Sequence, residues 1–134
     1  MANITITTGS VSAVAGMGLE IKGLAGASLG AGNACYIGAS GEILQSSSAK
    51  YIGDFTGTAG RTNFDGIAVR DVVSGDAVTL FGRGSVIGGF ASGMTPGAAL
   101  WISGTGGILS DAKIATQDAP VAKAISATDI LIIR

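Results

Sequence analysis

The sequence has nine carboxylates and a single thiol, side chains that can act as general acids, general bases or nucleophiles. Catalysis by carboxylates needs two of them within roughly 5–10 Å of each other. The acids are spread singly along the chain, as Glu20, Glu42, Asp54, Asp65, Asp71, Asp76, Asp111, Asp118 and Asp129. Most of the Asp residues stand beside Gly or Ser, which is typical of turns. We therefore interpret them as turn formers, and two acids that converge in the folded chain are the alternative.

Histidine is absent from the sequence, and cysteine occurs once. Without His, neither a Ser–His–Asp triad nor a Cys–His pair can form. One thiol is also too few for a zinc site or for an intramolecular disulfide. Cys35 has apolar neighbours, so we expect it to be a small buried side chain. The sequence thus predicts no catalytic residue, no metal ligand and no cofactor, in a protein that is not an enzyme.

Binding to nucleic acid or to a membrane is not indicated either. Eight residues are Lys or Arg and the net charge is −1, whereas nucleic-acid binding needs a dense basic surface. The uncharged stretch 84–110 contains Pro96 and many Gly and Ser, which argues against a membrane span. The glycine-rich runs 23–32 and 82–84 lack the spacing of phosphate-binding loops. We expect no nucleic acid, membrane or small-molecule substrate, and no signal peptide at the N-terminus.

Short alternating segments separated by turn residues run through the sequence, whereas helical periodicity is weak. Turns are predicted at pairs such as Asp65-Gly66 and Pro96-Gly97. Many short strands with glycine-rich turns predict an all-β fold, a compact β-barrel or β-sandwich. The predicted strands are Ile4–Thr7, Glu20–Lys22, Ala34–Ile37, Glu42–Gln45, Ile67–Arg70, Ala77–Phe81, Ser85–Ile87, Leu100–Ser103, Ile108–Ser110, Val121–Ile125 and Ile130–Ile133.

The chain divides into an extended N-terminal arm, residues 1–18, and a single all-β domain, residues 19–134. The arm carries no charged side chain and starts with alternating Ile and Thr. Such a segment can add a strand to the sheet edge of a neighbouring subunit. It can equally be a first strand of the domain's own sheet, or a frayed terminus.

An internal repeat relates residues 32–44 to residues 97–109. Each copy is predicted as a β-hairpin with a tight glycine turn and an aromatic residue, Tyr36 or Trp101, on its first arm. A second match relates residues 75–80 to residues 128–133. We interpret both matches as an internal duplication, with chance similarity in a chain rich in Gly and Ala as the alternative. The identical pairs in the hairpins are Gly32/Gly97, Ala34/Ala99, Ile37/Ile102, Gly41/Gly106, Ile43/Ile108 and Leu44/Leu109.

A binding surface is expected where large aromatic and arm residues are exposed, because aromatic side chains dominate interface energetics. Phe90 and Trp101 are interface candidates, with burial in the core as their alternative. Arg83 is either an exposed strand end or one half of a salt bridge to another subunit. The predicted capsid or subunit interface consists of Asn3, Ile4, Thr5, Ile6, Thr7, Arg83, Phe90 and Trp101.

The pattern of glycine turns and apolar strands from Gly23 to Arg134 resembles the small head-decoration, or cement, proteins of tailed bacteriophages. The segments that carry the resemblance are 31–37 with 41–44, then 66–69, 75–80, 84–90, 95–103 and 121–128. The resemblance implies a structural protein of the virion, made in the cytoplasm of a bacterial host and located on the capsid exterior. It also implies that the protein binds the major capsid protein and forms a homotrimer. No functional residue is transferred, because binding in this family is spread over a surface.

Two other functions fit the sequence less well. A phage tail, fibre or carbohydrate-binding module that recognises a host surface would need aromatic side chains beside polar groups, and only Tyr36, Tyr51 and Trp101 could serve. An enzyme of the carboxylate-hydrolase type would need two acids in one pocket. We therefore expect the capsid-binding protein, with the host-recognition module as its alternative.

Overall fold

The computed structural model describes residues 4–6, 11–15, 18–46, 64–103, 105–112 and 120–133. This part of the chain is all-β and contains no helix, as the sequence predicts. Its strands are β1 (Ser12–Ala15), β2 (Glu20–Leu24), β3 (Ala34–Ile37), β4 (Ile43–Gln45), β5 (Gly66–Ala68), β6 (Ala77–Phe81), β7 (Val86–Gly88), β8 (Ala99–Ile102), β9 (Leu109–Ser110), β10 (Ala122–Ala124) and β11 (Ile130–Ile132).

The strands form two antiparallel sheets in a sandwich-like arrangement rather than a closed barrel. One sheet has six strands in the order β1-β7-β11-β10-β8-β9, and the other has five in the order β2-β6-β5-β3-β4. A single parallel bridge from Ala25 to Ile43 links the end of β2 to β4. Residues of both sheets share the larger core, so the sheets stabilise each other through burial of apolar surface.

The internal duplication extends over both sheets. Strands β2 to β6 of the first repeat are ordered β2-β6-β5-β3-β4, and strands β7 to β11 of the second are ordered β7-β11-β10-β8-β9. The strand order of the second repeat is therefore that of the first with five added to each strand number. Strand β1 is an addition, because it pairs with β7 and has no counterpart beside β2 among the described residues.

Backbone hydrogen bonds match between the repeats as well. The amide of Gly32 donates to the Ala68 carbonyl at 2.6 Å, and the amide of Gly97 donates to the Ala124 carbonyl at 2.7 Å. Strand β5 therefore lies against β3 as β10 lies against β8. Equivalent residues are 56 positions apart between β5 and β10, and 65 positions apart between β3 and β8. The amide of Asn33 donates to the Gly30 carbonyl, as the amide of Ala98 donates to that of Thr95. The amide of Asp65 donates to the Cys35 carbonyl, as the amide of Val121 donates to that of Leu100.

The second hairpin differs from the first by one residue in its register. Its turn places a glycine with positive φ at Gly107, one position beyond the sequence equivalent of Gly41. Because side chains alternate between the faces of a strand, this shift places the side chains of β9 on the opposite faces from their sequence equivalents in β4. Leu109 is buried in the second hairpin, whereas Ile43 is buried in the first. The sequence match of Ile43 with Ile108 is therefore wrong for the structure, because the second turn is one residue longer.

The arm contacts the chain's own domain wherever it is described. Strand β1 pairs with β7, with Ser12 opposite Gly88. The amide of Ile4 donates to the Leu109 carbonyl at 2.8 Å, on the edge strand β9. Residues 4–6 form no ladder, although the sequence predicts a strand there. The sequence Ser-Ala-Val-Ala of β1 has little apolar contrast, so pattern alone does not predict this strand.

The smaller core belongs to the first repeat, whereas the larger core contains residues of both repeats. The first repeat buries Ala25 and Cys35, and the second buries Phe90 and Leu100 at the matching positions. The larger side chains of the second repeat belong to the core shared by both sheets, where more space must be filled. Phe90 is fully buried there.

Candidate functional site

Four of the described carboxylates accept hydrogen bonds from backbone amides. Asp71 accepts the amide of Ala31 at 2.8 Å, and Asp65 accepts the amide of Ile37 at 2.8 Å. Asp76 accepts the amide of Val73 in its own turn, and Asp129 accepts the amide of Gly89. Such bonds satisfy loop amides, as expected for Asp in turns. Within the described ranges, no three metal-ligating side chains come together, and Asp54 and Asp118 lie outside those ranges.

Cys35 is a buried structural side chain. It is fully inaccessible to solvent, and its thiol donates a weak hydrogen bond to the Asn33 carbonyl at 3.4 Å. Burial raises the pKa of the Cys35 thiol to about 12 from an ordinary value of 9.0. The nucleophilic thiolate is therefore disfavoured at neutral pH.

The raised pKa of Cys35 predicts a loss of stability at high pH. Below pH 9 the thiol is protonated in both states, whereas between pH 9 and 12 only the unfolded chain ionises. The free energy of unfolding then falls by about 1.4 kcal/mol per pH unit from this group. We expect Cys35→Ala to reduce the slope in urea unfolding measured from pH 7 to pH 11. Equal slopes for the two proteins would contradict the buried thiol.

A candidate binding surface is the outer face of the six-stranded sheet. Val86, Leu131, Lys123 and Ala99 lie in one row across strands β7, β11, β10 and β8. Their neighbours in the same strands or just beyond them add further apolar side chains, of which Ile125 is 45% exposed. We define the outer face as Val86, Ala99, Trp101, Lys123, Ile125, Leu131 and Ile133.

The equivalent face of the first repeat is covered by protein. Ala34, Ile67 and Phe81 occupy the matching positions in β3, β5 and β6, and all three contact the core shared with the second repeat. In the second repeat, Lys123 stands at the position of Ile67. One copy of the unit therefore packs this face inside the molecule, and the other copy presents it to solvent.

A cleft with a volume of about 240 Å³ is lined by residues of the second repeat and of the arm. The loop 92–95 forms one side, and the arm forms part of the wall. This lining mixes apolar side chains with a few polar groups, an arrangement typical of binding clefts. Other lining residues are Ile4, Thr5, Ala98, Leu100 and Asp111.

The predicted interface residues are distributed over several places. Trp101 belongs to the outer face, and Thr5 lines the cleft. Arg83 is exposed in the turn between β6 and β7. Phe90 is fully buried, so it is a core residue and not available to a partner. Ile4 and Ile6 pack against the larger core, and Asn3 and Thr7 lie outside the described residues.

The other residues of the outer face are not among the interface residues predicted from the sequence. Their signal is present in Val121–Ile125 and Ile130–Ile133, which are apolar at almost every position instead of at alternate ones. When a strand is apolar on both faces, one face packs in the core and the other face needs a second partner to cover it. Of the three aromatic residues considered for sugar binding, Tyr36 is buried and Tyr51 lies outside the described residues.

Comparison with known proteins gives no assignment. No family model matches the sequence, and no curated protein is significantly similar to it.

Proposed function

We propose that this chain is a non-enzymatic structural protein of a phage virion that binds the outer surface of the capsid and stabilises it. The observation that carries the proposal is the apolar outer face. Ile125 and Ile133 of this face are 45% and 40% exposed, and exposed apolar surface that is grouped on one face often marks a site of protein–protein contact. The resemblance to head-decoration proteins suggests the partner, which is the major capsid protein.

The outer face has the composition of a protein-binding surface. Trp101 is the largest aromatic side chain on it, and tryptophan is enriched among residues that dominate binding energy. Lys123 is its one charged residue and lies between Leu131 and Ala99. An acidic group of the partner would pair with this ammonium and fix the register of the two surfaces.

Self-association strengthens capsid binding in this proposal. A homotrimer holds three outer faces together, so the second and third contacts with the capsid become intramolecular. Avidity of this kind raises apparent affinity by about 10²- to 10⁴-fold without new contacts. A chain rich in Gly and Ala also gains stability from association, because its own core returns little free energy per residue.

Binding to heads tests the proposal. Purified protein is co-sedimented with expanded, DNA-free heads and, separately, with tails of its parent phage. We expect saturable binding to heads at a fixed ratio to the major capsid protein. Binding to tails alone would favour a fibre or host-recognition module, and binding to neither would overturn the proposal.

Charged substitutions locate the binding surface. Ile125 and Ile133 are 45% and 40% exposed on the outer face, so the double variant Ile125→Asp with Ile133→Asp should fold normally. We expect head affinity to fall about 100-fold, because each Asp would be buried without a partner at a cost of roughly 1.4 kcal/mol or more.

A matched control carries the same charges elsewhere. Leu24 and Val73 are 59% and 60% exposed and belong to the first repeat. The double variant Leu24→Asp with Val73→Asp should bind heads as the unmodified protein does. A loss of binding in the control equal to that of the outer-face variant would exclude the outer face as the capsid contact.

A further inference from the structure

Strand β2 has a free edge among the described residues. It is the end strand of the five-stranded sheet and pairs with β6 on its other side. Strand β7 has the corresponding place in the strand order of the second repeat, and there the arm strand β1 pairs with it. The duplicated unit therefore has an edge that accepts a further strand, and in the first repeat no described strand occupies it.

The backbone of β2 presents Glu20 and Lys22 along this edge. The carbonyl of Leu19 accepts the amide of Gly82 at 2.7 Å, and the amide of Ala25 donates to a carbonyl of the β5–β6 loop at 2.8 Å. Residues 19 and 25 therefore form their hydrogen bonds toward β6, and the direction of hydrogen bonding alternates along an antiparallel strand. The amides and carbonyls of Glu20 and Lys22 consequently point away from β6, toward the free edge.

The end of β2 is already covered by β4. The amide of Gly26, which follows β2, donates to the Ile43 carbonyl at 2.9 Å, next to the bridge between Ala25 and Ile43. An added strand therefore has the beginning of β2 to pair with, at Glu20 and Lys22. The side chains of these two residues are exposed.

We infer that the β2 edges of two copies pair antiparallel about a two-fold axis, so that their five-stranded sheets join edge to edge. The axis passes beside Ile21, and Glu20 of each copy then lies opposite Lys22 of the other. Because the backbone groups of both residues point to the free edge, each Glu–Lys pair exchanges two main-chain hydrogen bonds. Opposite charges directly across from each other stabilise a strand pair.

The charges of Glu20 and Lys22 select this register over its neighbours. A shift of the partner strand by two residues keeps the backbone bonding but places Lys22 opposite Lys22, or Glu20 opposite Glu20. Like charges directly opposite each other destabilise a strand pair. Charged side chains on an edge strand generally prevent pairing with other chains, whereas this arrangement of charges is complementary to a second copy of itself.

The contact is isologous, because both copies use the same strand, and it therefore joins copies in pairs. It goes beyond the proposed function, since it requires no capsid and differs from the contact that holds a homotrimer together. Each protomer of a homotrimer would keep its own β2 edge, so trimers would also join in pairs. The outer face belongs to the six-stranded sheet and stays available to the capsid.

Charge reversal tests the register in the purified full-length protein. Glu20→Lys places lysine opposite lysine twice, and Lys22→Glu places glutamate opposite glutamate twice. The double variant Glu20→Lys with Lys22→Glu is the matched control, because it restores opposite charges and the net charge of the unmodified protein. Both positions are exposed, so the variants should fold normally, which thermal unfolding verifies.

Molar mass is measured by light scattering from about 1 µM to about 1 mM protein, because a contact of one short strand from each copy is small and should be weak. We expect the mass of the unmodified protein and of the double variant to double over this range. The dissociation constant of either single variant should be about 10- to 100-fold higher. An equimolar mixture of the single variants should pair as the unmodified protein does, because the lysines of one then face the glutamates of the other.

Amide hydrogen exchange tests the main-chain part of the contact. Exchange at Glu20 and Lys22 should slow as the concentration of the unmodified protein rises, and should slow much less in Glu20→Lys. A mass that does not double, equal dissociation constants for all variants, a mixture that pairs no better than its components, or exchange that is independent of concentration would each overturn the inference. Head binding is measured separately, so its failure and the failure of this contact are distinguishable.

Discussion

Phe90→Ala is expected to lower the free energy of unfolding by about 3–5 kcal/mol, because it removes a buried aromatic ring and leaves a cavity. Phe90 is fully buried in the core that both sheets share. Its counterpart in the first repeat is Ala25, which belongs to the smaller core. The loss should therefore be seen in the unfolding of the whole molecule, measured by urea titration with fluorescence and circular dichroism.

Phe90→Leu is the matched variant for this prediction. It keeps most of the apolar volume, so its cost should be below about 2 kcal/mol. A loss of less than 1 kcal/mol for Phe90→Ala would mean that the ring is not a core side chain, and Phe90 would again be an interface candidate. Two separate unfolding transitions would instead show that the repeats fold independently.

Gly107→Ala is expected to destabilise the protein by about 3 kcal/mol through two effects. An L-residue at φ of 78° is strained, at a cost of roughly 1–2 kcal/mol. Its Cβ would also lie 2.8 Å from Cγ of Asn33, so the β8–β9 turn must move away from the first repeat. Overpacking of this kind typically adds about 1–3 kcal/mol.

Gly41→Ala separates the two effects, because Gly41 has nearly the same φ and open space around it. Only the strain remains, so its cost should be about 1–2 kcal/mol. Both variants are measured by urea unfolding at one low protein concentration. Equal costs for the two substitutions would show that the β8–β9 turn does not pack against the first repeat.

The duplicated unit serves different purposes in its two positions. In the first repeat the face with Ala34 and Ile67 is closed by the shared core, and the Ser46 carbonyl accepts the amide of Gly107 from the β8–β9 turn. In the second repeat the corresponding face carries Trp101 and Lys123. The second unit therefore carries the outer face, which is the surface proposed for the capsid.

The sequence by itself determined where most strands and turns lie, because those choices are local. Ten of the eleven strands overlap predicted segments, and glycines with positive φ occupy predicted turns such as Gly75 and Gly97. Alternating apolar residues and glycine turns restrict each short segment regardless of its neighbours. The duplication was also readable, because the two hairpins keep the same residue types in the same order.

Only the tertiary structure decided which surfaces are covered. Phe90 and Trp101 look alike in sequence, yet one is fully buried and the other belongs to the outer face. Strand β1 is defined by the free edge of β7 rather than by its own pattern. The register of the second hairpin depends on one extra turn residue, and with it the choice of Leu109 for the core. These outcomes depend on contacts between residues far apart in the chain, so a local pattern does not contain them.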